Sequence, residues 1–189
     1  MTIPAWNAAG VLPSIMPDAP GNSPERSPYV TELSVLVDRF STSPERISIL
    51  DGLLRFRAAL HQAGIVSGFQ WLDGSFLEDV ETLEGRSPRD MDVVNFLNLM
   101  GLDQQMLITQ HGALFDQAKT KQAYAMDAYF VQIGGVFEKN AVRRVSYWYS
   151  MWSHRRNGLW KGFVQVDLDP AQDATARAIL NLHGGIHHD

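Results

Sequence analysis

The hydrophobic positions of this chain follow two periods, and the change from one to the other predicts the order of its secondary structure. Apolar residues recur every three or four positions, as on one face of a helix, in five segments. These predicted helices cover 29–40, 43 to about 63, 103–119, about 139–154 and about 171–182. Four shorter apolar segments, rich in β-branched or aromatic residues, are typical of strands. They cover 64–75, 91–97, 123–133 and 159–168.

The second predicted helix carries clear signals at both ends. Ser43 is a suitable N-cap, Pro44 suits the first helical position, and Gly64 can end the helix after Ala63. The segment 77–89 is polar and closes with Ser87-Pro88, which predicts a loop. The order of helices and strands predicts an α+β fold, a small mixed β-sheet of about four to five strands with helices packed on it.

Proline and glycine divide the chain into an arm, a domain and a tail. Residues 1–29 contain six of the nine prolines, so they cannot form a regular helix or a central strand. The arm is nevertheless apolar, with residues such as Trp6, and is expected to pack on the domain. The sequence therefore predicts a Pro-rich N-terminal arm at 1–29, a single domain at 30–182 and a flexible tail at 183–189.

Composition narrows the function classes only slightly. The 189 residues carry a formal net charge of −5 and no cysteine, which argues against general adhesion to nucleic acid or anionic membrane and excludes thiolate chemistry. No stretch approaches the roughly 20 apolar residues of a membrane span, and the N-terminus lacks the features of a signal peptide. A cytoplasmic protein without a membrane partner is expected.

Two aspartates stand at the beginning of the second predicted strand, in "RDMDVV" at 89–94. Successive strand residues alternate between faces, so Asp90 and Asp92 would point the same way, roughly 6.6 Å apart along the strand. Two half-buried carboxylates repel each other and are desolvated unless a cation compensates them. Oxygen ligands in this arrangement suit Mg²⁺, or the similar Mn²⁺, with substrate phosphates completing the coordination.

A third aspartate repeats this setting in the next predicted strand. Asp127 lies in "YAMDAYFV", between Met126 and Ala128. If the two strands are neighbours, the three carboxylates can hold two metal ions about 3.5–4 Å apart, as in enzymes of in-line phosphoryl and nucleotidyl transfer. The turn at Gly74-Ser75 would offer backbone N–H groups and a hydroxyl to a phosphate.

In these motifs the chain resembles the nucleotidyltransferase-fold superfamily. That group includes DNA polymerase beta, the aminoglycoside and lincosamide nucleotidyltransferases, and the minimal nucleotidyltransferases of toxin–antitoxin modules. Its signature is Gly-Ser after a strand, then Asp-x-Asp among apolar residues, then a later Asp on a neighbouring strand. Here the signature reads "LDGSF" at 72–76, "RDMDVV" at 89–94 after a spacer of fourteen residues, and "AMDAY" at 125–129. The resemblance covers about residues 65–133.

The resemblance implies an enzyme that moves a nucleoside monophosphate from a triphosphate such as ATP to a hydroxyl of a protein, an RNA or a small molecule. Asp90, Asp92 and Asp127 would bind the metal ions, and Asp127 would help to deprotonate the acceptor. Gly74 and Ser75 would contact the triphosphate. By analogy with the smallest members, the protein would act in a toxin–antitoxin or defence system, as a homo-oligomer or with a cognate partner protein. The long acidic segment between Ser75 and Asp90 departs from those members, and a helix directly after Gly-Ser is not expected.

Other interpretations of the same residues stay open at this stage. Asp90 and Asp92 can be solvated charges on an edge strand, and Asp127 can be an N-cap or a solvated strand residue. Lys161 and the basic cluster Arg143, Arg144, His154, Arg155 and Arg156 can bind phosphates or an acidic acceptor such as transfer RNA, or can be ordinary surface charge. The alternative functions are a catalytically inactive binding or antitoxin-like module with the same fold, and a phosphohydrolase that uses the same carboxylates.

Overall fold

A computed structural model describes residues 2–136 and 138–186. They form a mixed sheet of five strands and seven α-helices. The strands are β1 (Tyr29–Val30), β2 (Gly68–Asp73), β3 (Met91–Asn98), β4 (Met126–Ile133) and β5 (Val164–Asp167). The helices are α1 (Leu33–Phe40), α2 (Pro44–Gln62), α3 (Val80–Glu84), α4 (Gln104–His111), α5 (Gln117–Tyr124), α6 (Lys139–Trp152) and α7 (Asp173–Ile186). The predicted mixed sheet with packed helices is confirmed.

The sheet has the order β1-β5-β2-β3-β4. β1 runs parallel to β5 and β3 runs parallel to β4, whereas β2 is antiparallel to both of its neighbours. The two parallel strands β3 and β4 therefore begin at the same end of the sheet, and β2 ends there. Residues at this end of the three strands are brought together although they are far apart in sequence.

The two faces of the sheet are covered by different helices. On one face, Arg57 of α2 donates to Gln70 of β2 at 2.7 Å, and α1, α2 and α7 pack against one another. On the other face, α6 lies over an aromatic layer. Trp148 packs on Tyr129 with ring centroids 4.6 Å apart, and Trp152 packs on Phe163 at 5.9 Å. The core thus fills both sides of the sheet, and the mixed sheet is buried between helices.

The N-terminal arm lies against the domain over much of its length. Ile3, Val11 and Leu12 are buried, and the Trp6 indole donates to the Leu77 carbonyl at 2.7 Å. Gly162 donates its N–H to the Leu12 carbonyl at 2.7 Å. These contacts tie the arm to the turn after β2 and to the segment before β5.

Several predicted boundaries differ from the observed ones. Tyr29 and Val30 do not begin a helix, because Tyr29 is fully buried beside β5 and donates its N–H to Phe163. The predicted helix 103–119 is broken at Gly112, and the carboxylate of Asp116 caps the new helix α5. The strand predicted at 159–168 starts only at Val164, so Lys161 precedes it.

The segment 77–89, predicted as a loop, contains the short helix α3. The side chain of Asp79 caps its first turn, and Gly85 ends it in a left-handed conformation. The tail predicted at 183–189 is helical as far as Ile186, because α7 continues past residue 182. Residues 187–189 lie outside the described residues. None of the described helices is both long and apolar enough to cross a membrane.

Candidate functional site

Three aspartates lie side by side across three neighbouring strands. In the sheet register, Asp73 of β2 is opposite Asp92 of β3, and Asp92 is opposite Asp127 of β4. Registered neighbours point to the same face of a sheet, with strands about 4.8 Å apart. All three line one cavity. The predicted convergence of Asp92 and Asp127 is therefore present, and Asp73 adds a third carboxylate to the same row.

The turn after β2 brings the backbone against this row. Gly74 has φ +87°, a conformation that side-chain-bearing residues rarely adopt, and a Cβ placed on it would lie 2.6 Å from Oδ2 of Asp92. Ser75 follows as the first residue of a 3₁₀ turn and lines the cavity. Only glycine at position 74 lets the chain pass this close to the Asp92 carboxylate.

Asp92 lies among other negatively charged side chains. Burial, followed by the neighbouring carboxylates of Asp127 and Asp90, raises the pKa of Asp92 to about 6, although the ammonium groups of Lys161 and Lys121 act to lower it. The neighbouring cations therefore do not fully offset the cost of ionising the Asp92 carboxyl group. A bound cation would relieve this penalty.

A buried charge network stands behind Asp92. Lys161 donates to Asp73 at 2.7 Å and to Glu78 at 3.2 Å, and Arg155 donates to Glu78 at 2.5 Å. Burial works to lower the pKa of Lys161, but Asp73 and Glu78 outweigh it and raise that pKa. Burial also raises the pKa of Asp73 to about 7 despite the neighbouring ammonium. The Asp73 carboxyl group can therefore hold a proton near neutral pH.

Asp90 does not lie in the same strand as Asp92, although the two were predicted to point the same way. β3 begins at Met91, so Asp90 stands just before the strand, and it does not line the cavity. Its Oδ2 lies 2.7 Å from the Lys121 ammonium, which also lies 3.4 Å from Oδ2 of Asp127. Gln117, one helical turn before Lys121 on α5, donates to the other oxygen of Asp127. Helix α5 thus supplies polar partners to both outer carboxylates.

The cavity in front of the row has a volume of about 670 Å³ and two walls of opposite charge. One wall carries the aspartates and Glu78. The other carries the loop after α6, with His154, Arg155, Arg156 and Asn157, and the end of α3, where Arg86 is paired with Glu84 at 2.7 Å. Tyr129 and Trp152 form part of the apolar lining, and burial and the nearby Asp127 raise the pKa of Tyr129. The size is typical of pockets for small molecules and cofactors.

The donor set fits a hard divalent cation in its chemistry. Carboxylate oxygens from Asp92 and Asp127 meet on one face, and the pKa of Asp92 is raised by its like-charged neighbours. Within the described part of the chain, no three His, Asp or Glu side chains form a ready-made metal cluster. Asp90 and Asp127 are instead drawn towards Lys121 and Gln117.

Sequence reasoning found some of these residues and missed others. The structure brings Gly74, Ser75, Asp92, Asp127 and Lys161 to one cavity, with Asp90 at its edge. Of the basic cluster, His154, Arg155 and Arg156 line the cavity, whereas Arg144 faces grooves beside β4. Asp73, Glu78, Gln117, Lys121 and Tyr129 were not predicted. Asp73 could have been recognised from the sequence, because it is a charged residue at the end of an otherwise apolar strand.

The acidic segment also has a structural explanation. Glu78 is neutralised by Lys161 and Arg155 inside the domain. Glu81 accepts from the buried guanidinium of Arg46 at 2.6 Å and 2.8 Å. Glu81 thus attaches the segment to α2, and Glu78, which lines the cavity, attaches it to the loop after α6.

The fold and site together define a mixed α/β domain with an acidic cavity at one end of its sheet. The chain belongs to a family of unknown function, DUF6932, whose profile matches residues 4–167. The match includes most of the N-terminal arm and every residue of the cavity. No curated protein and no solved structure showed significant similarity to the chain.

Proposed function

We propose that the protein is a metal-dependent nucleotidyltransferase, which moves a nucleoside monophosphate from a nucleoside triphosphate to a hydroxyl group of a protein, an RNA or a small molecule. The observation that carries the proposal is the register of Asp92 beside Asp127 on parallel strands, with the Gly74 turn closed onto Asp92. This arrangement agrees with the nucleotidyltransferase-like signature of the sequence. A toxin–antitoxin or defence setting and a cytoplasmic location stay predictions from the sequence.

The acidic wall would bind the metal. Asp92 and Asp127, with Asp90 at the edge, would hold Mg²⁺ or Mn²⁺, and the bound ion would neutralise charge on the triphosphate and on the leaving pyrophosphate. Burial of Asp92 strengthens its attraction for a cation, because the surroundings screen charge less than water does. Gly74 and Ser75 would bring backbone and hydroxyl groups to the phosphates.

The basic wall would hold the phosphate tail. Arg156 and His154 line the cavity together with the aspartates, and Arg86, also in the lining, is paired with Glu84 at 2.7 Å and would have to exchange that partner for a phosphate. Lys161 is predicted from sequence to contact the nucleotide, but its ammonium is held by Asp73 and Glu78. We therefore assign Lys161 to charge balance behind Asp92, and phosphate contact mainly to the basic wall.

In the proposed reaction, the acceptor hydroxyl oxygen attacks the α-phosphorus. The bond from that phosphorus to the pyrophosphate oxygen breaks, and Asp127 accepts the hydroxyl proton. The protein contributes mainly position and charge complementarity, which are the usual sources of rate in phosphoryl and nucleotidyl transfer. Tyr129, two residues along the same strand face as Asp127, borders the place where the acceptor would lie.

Transfer of label tests the proposal directly. Wild-type protein is incubated with each nucleoside triphosphate, radiolabelled at the α-phosphate, together with cell extract and Mg²⁺, and label is followed into protein, RNA and small molecules. Asp92→Asn and Asp127→Asn should each reduce labelling at least about 100-fold, because each removes a charge that the transition state needs. Asp38→Asn is the matched control, since Asp38 is largely exposed and pairs with His183 on α7, away from the cavity. Equal labelling by wild type and Asp92→Asn would refute the proposed role of the site.

One observation favours a second candidate, the catalytically inactive binding module. Asp90 and Asp127 already have polar partners on α5, which would stabilise the fold without any metal. In that case the triphosphate, or another polyanion, would bind to the basic wall without reacting. Binding of labelled triphosphate that is unaffected by chelators, with no transfer of label to any acceptor, would support this candidate.

A further inference from the structure

We infer that the ammonium group of Lys121 takes the place of a second metal ion between Asp90 and Asp127, so that the site binds a single divalent ion at Asp92. This inference rests on the proposed metal-dependent function. It differs from the two-metal arrangement expected from the sequence in the number of ions and in the identity of one cation.

Lys121 lies between the two outer carboxylates, those of Asp90 and Asp127. Its Nζ lies 2.7 Å from Asp90 and 3.4 Å from Asp127, so it bridges the two outer carboxylates. A bridging cation between two carboxylates of a nucleotidyl-transfer site is normally a metal ion. An ammonium group in the same place supplies one positive charge and can donate hydrogen bonds to both carboxylates.

Helix α5 holds Lys121 in place. The helix packs on both β4 and α2, and Thr120 next to Lys121 is buried. Gly52 of α2 allows close approach, because a Cβ there would lie 2.0 Å from the Tyr124 carbonyl oxygen. Asp116 caps the first turn of α5. The base of the Lys121 side chain is therefore fixed, although half of the side chain is exposed.

Gln117 supports the same arrangement from one helical turn away. Its amide donates to Oδ1 of Asp127, while Lys121 approaches Oδ2. Both oxygens of Asp127 are thus engaged by α5. Asp92 has no such partner on α5, and its carboxylate faces the cavity beside Gly74. The place left for a divalent ion is at Asp92, and Asp127 can still be its second ligand, because each carboxylate oxygen keeps a further lone pair.

The charges of the site agree with one divalent ion. Five carboxylates meet here, namely Asp73, Glu78, Asp90, Asp92 and Asp127. Three cations face them, namely Lys121, Lys161 and Arg155. With all groups ionised, two negative charges remain uncompensated, which one divalent ion balances. In the absence of the triphosphate, two such ions would leave an excess of positive charge at this wall.

Counting bound ions tests the inference. Mn²⁺ is titrated into wild type, Lys121→Met, Lys121→Arg and Lys119→Met, and bound ions are counted by electron paramagnetic resonance, with and without a non-hydrolysable triphosphate. Wild type should bind one ion, Lys121→Met two, and Lys121→Arg one, since arginine restores the cation. Lys119→Met is the matched control and should bind one ion, because Lys119 lies on the same helix and only approaches Asp116 at 3.9 Å.

The outcomes separate the inference from the proposed function. Two ions in wild type, or one ion in both wild type and Lys121→Met, would overturn the role of Lys121 and leave the metal-dependent function standing. No specific Mn²⁺ in any variant would overturn the inference together with that function. Thermal melting without metal confirms that the variants fold, and Mn²⁺ should raise the melting temperature of Lys121→Met more than that of Lys119→Met.

Discussion

Two of the polar clusters in the interior of this domain differ in how completely their charges are compensated. At one, the guanidinium of Arg57 meets Asp173, Gln70 and the carbonyls of Asp167 and Asp169, so every N–H donor has a partner. At the other, around Asp92, carboxylates outnumber the cations and the pKa of Asp92 rises to about 6. The first cluster is satisfied and structural. The second is under-compensated, as expected of a site that binds a charged ligand.

The contrast extends to the neighbours of each cluster. Gln70 accepts from Arg57 and donates to Asn95 at 2.7 Å, and Asn95 donates to the Tyr129 carbonyl at 3.0 Å. This chain of hydrogen bonds crosses the middle of the sheet without a charge left over. At the end of the same strands, Asp73, Asp92 and Asp127 stand together. Buried polarity alone therefore does not identify a site, whereas uncompensated charge beside a cavity does.

The largest expected effect is on the satisfied cluster. Arg57→Met should destabilise the protein by about 3–5 kcal/mol, because it leaves Asp173 and Gln70 without their buried partner. Arg55→Met is the control, since Arg55 is half exposed and pairs with Asp51 on the surface, and it should cost less than about 1 kcal/mol. Urea unfolding of both variants measures the difference. Equal losses for the two variants would show that the Arg57 cluster is not a structural centre.

A second variant acts on the turn at the site. Gly74→Ala should lose about 2–3 kcal/mol, because the alanine must adopt φ +87° and its Cβ would contact the Asp92 carboxylate. Gly85→Ala shares the positive φ but has open space around it, so it should lose only about 1 kcal/mol. Thermal melting of both variants, followed by the labelling assay, separates backbone strain from the contact with Asp92. A Gly74→Ala protein that is as stable as Gly85→Ala would contradict the close approach.

The smallest expected effect is a pH-dependent change in stability that comes from the charge of Asp92. Burial and neighbouring carboxylates raise the pKa of Asp92 in the folded state above its unfolded value. The folded protein then binds more protons than the unfolded chain between about pH 4 and 6, so this group costs stability as the pH rises through that window. In metal-free buffer, Asp92→Asn should therefore stabilise the protein by about 2 kcal/mol at pH 8 and by little at pH 4.

Unfolding of wild type and Asp92→Asn at the two pH values checks this prediction. Asp116→Asn is a suitable control, because Asp116 caps α5 and asparagine caps a helix about as well as aspartate, so this variant should change stability little at either pH. If Asp92→Asn is destabilising at pH 8, the charge of Asp92 is compensated in the folded protein and the comparison of the two clusters fails.

The sequence predicted those parts of the fold that local signals determine. Ser43 accepts from the N–H of Arg46, Pro44 begins α2, and Gly64 follows its end with φ +84°. Helix α3 was missed because it has only five residues, and it is held by the contact of Glu81 with the distant Arg46. Helix length and caps can be recognised locally, but a helix stabilised by a tertiary ion pair cannot.

The same distinction applies to the site. Asp92 and Asp127 were predicted to meet because each stands in an apolar strand, and the parallel pairing of β3 with β4 brings them into register. Lys121 and Gln117 could not be predicted, since their position depends on how α5 packs between α2 and β4. Asp90 was placed in the strand by its spacing, but β3 starts one residue later and Asp90 turns to Lys121.

The central claim is that Asp92 and Asp127 bind a divalent ion in front of the triphosphate. Crystals grown with Mn²⁺ and a non-hydrolysable nucleoside triphosphate test it most directly, because anomalous scattering locates the metal. The account predicts a peak about 2 Å from carboxylate oxygens of Asp92 and Asp127, with phosphate oxygens on its other side. An ordered triphosphate in the cavity with no metal at these aspartates, or metal bound elsewhere, would contradict it.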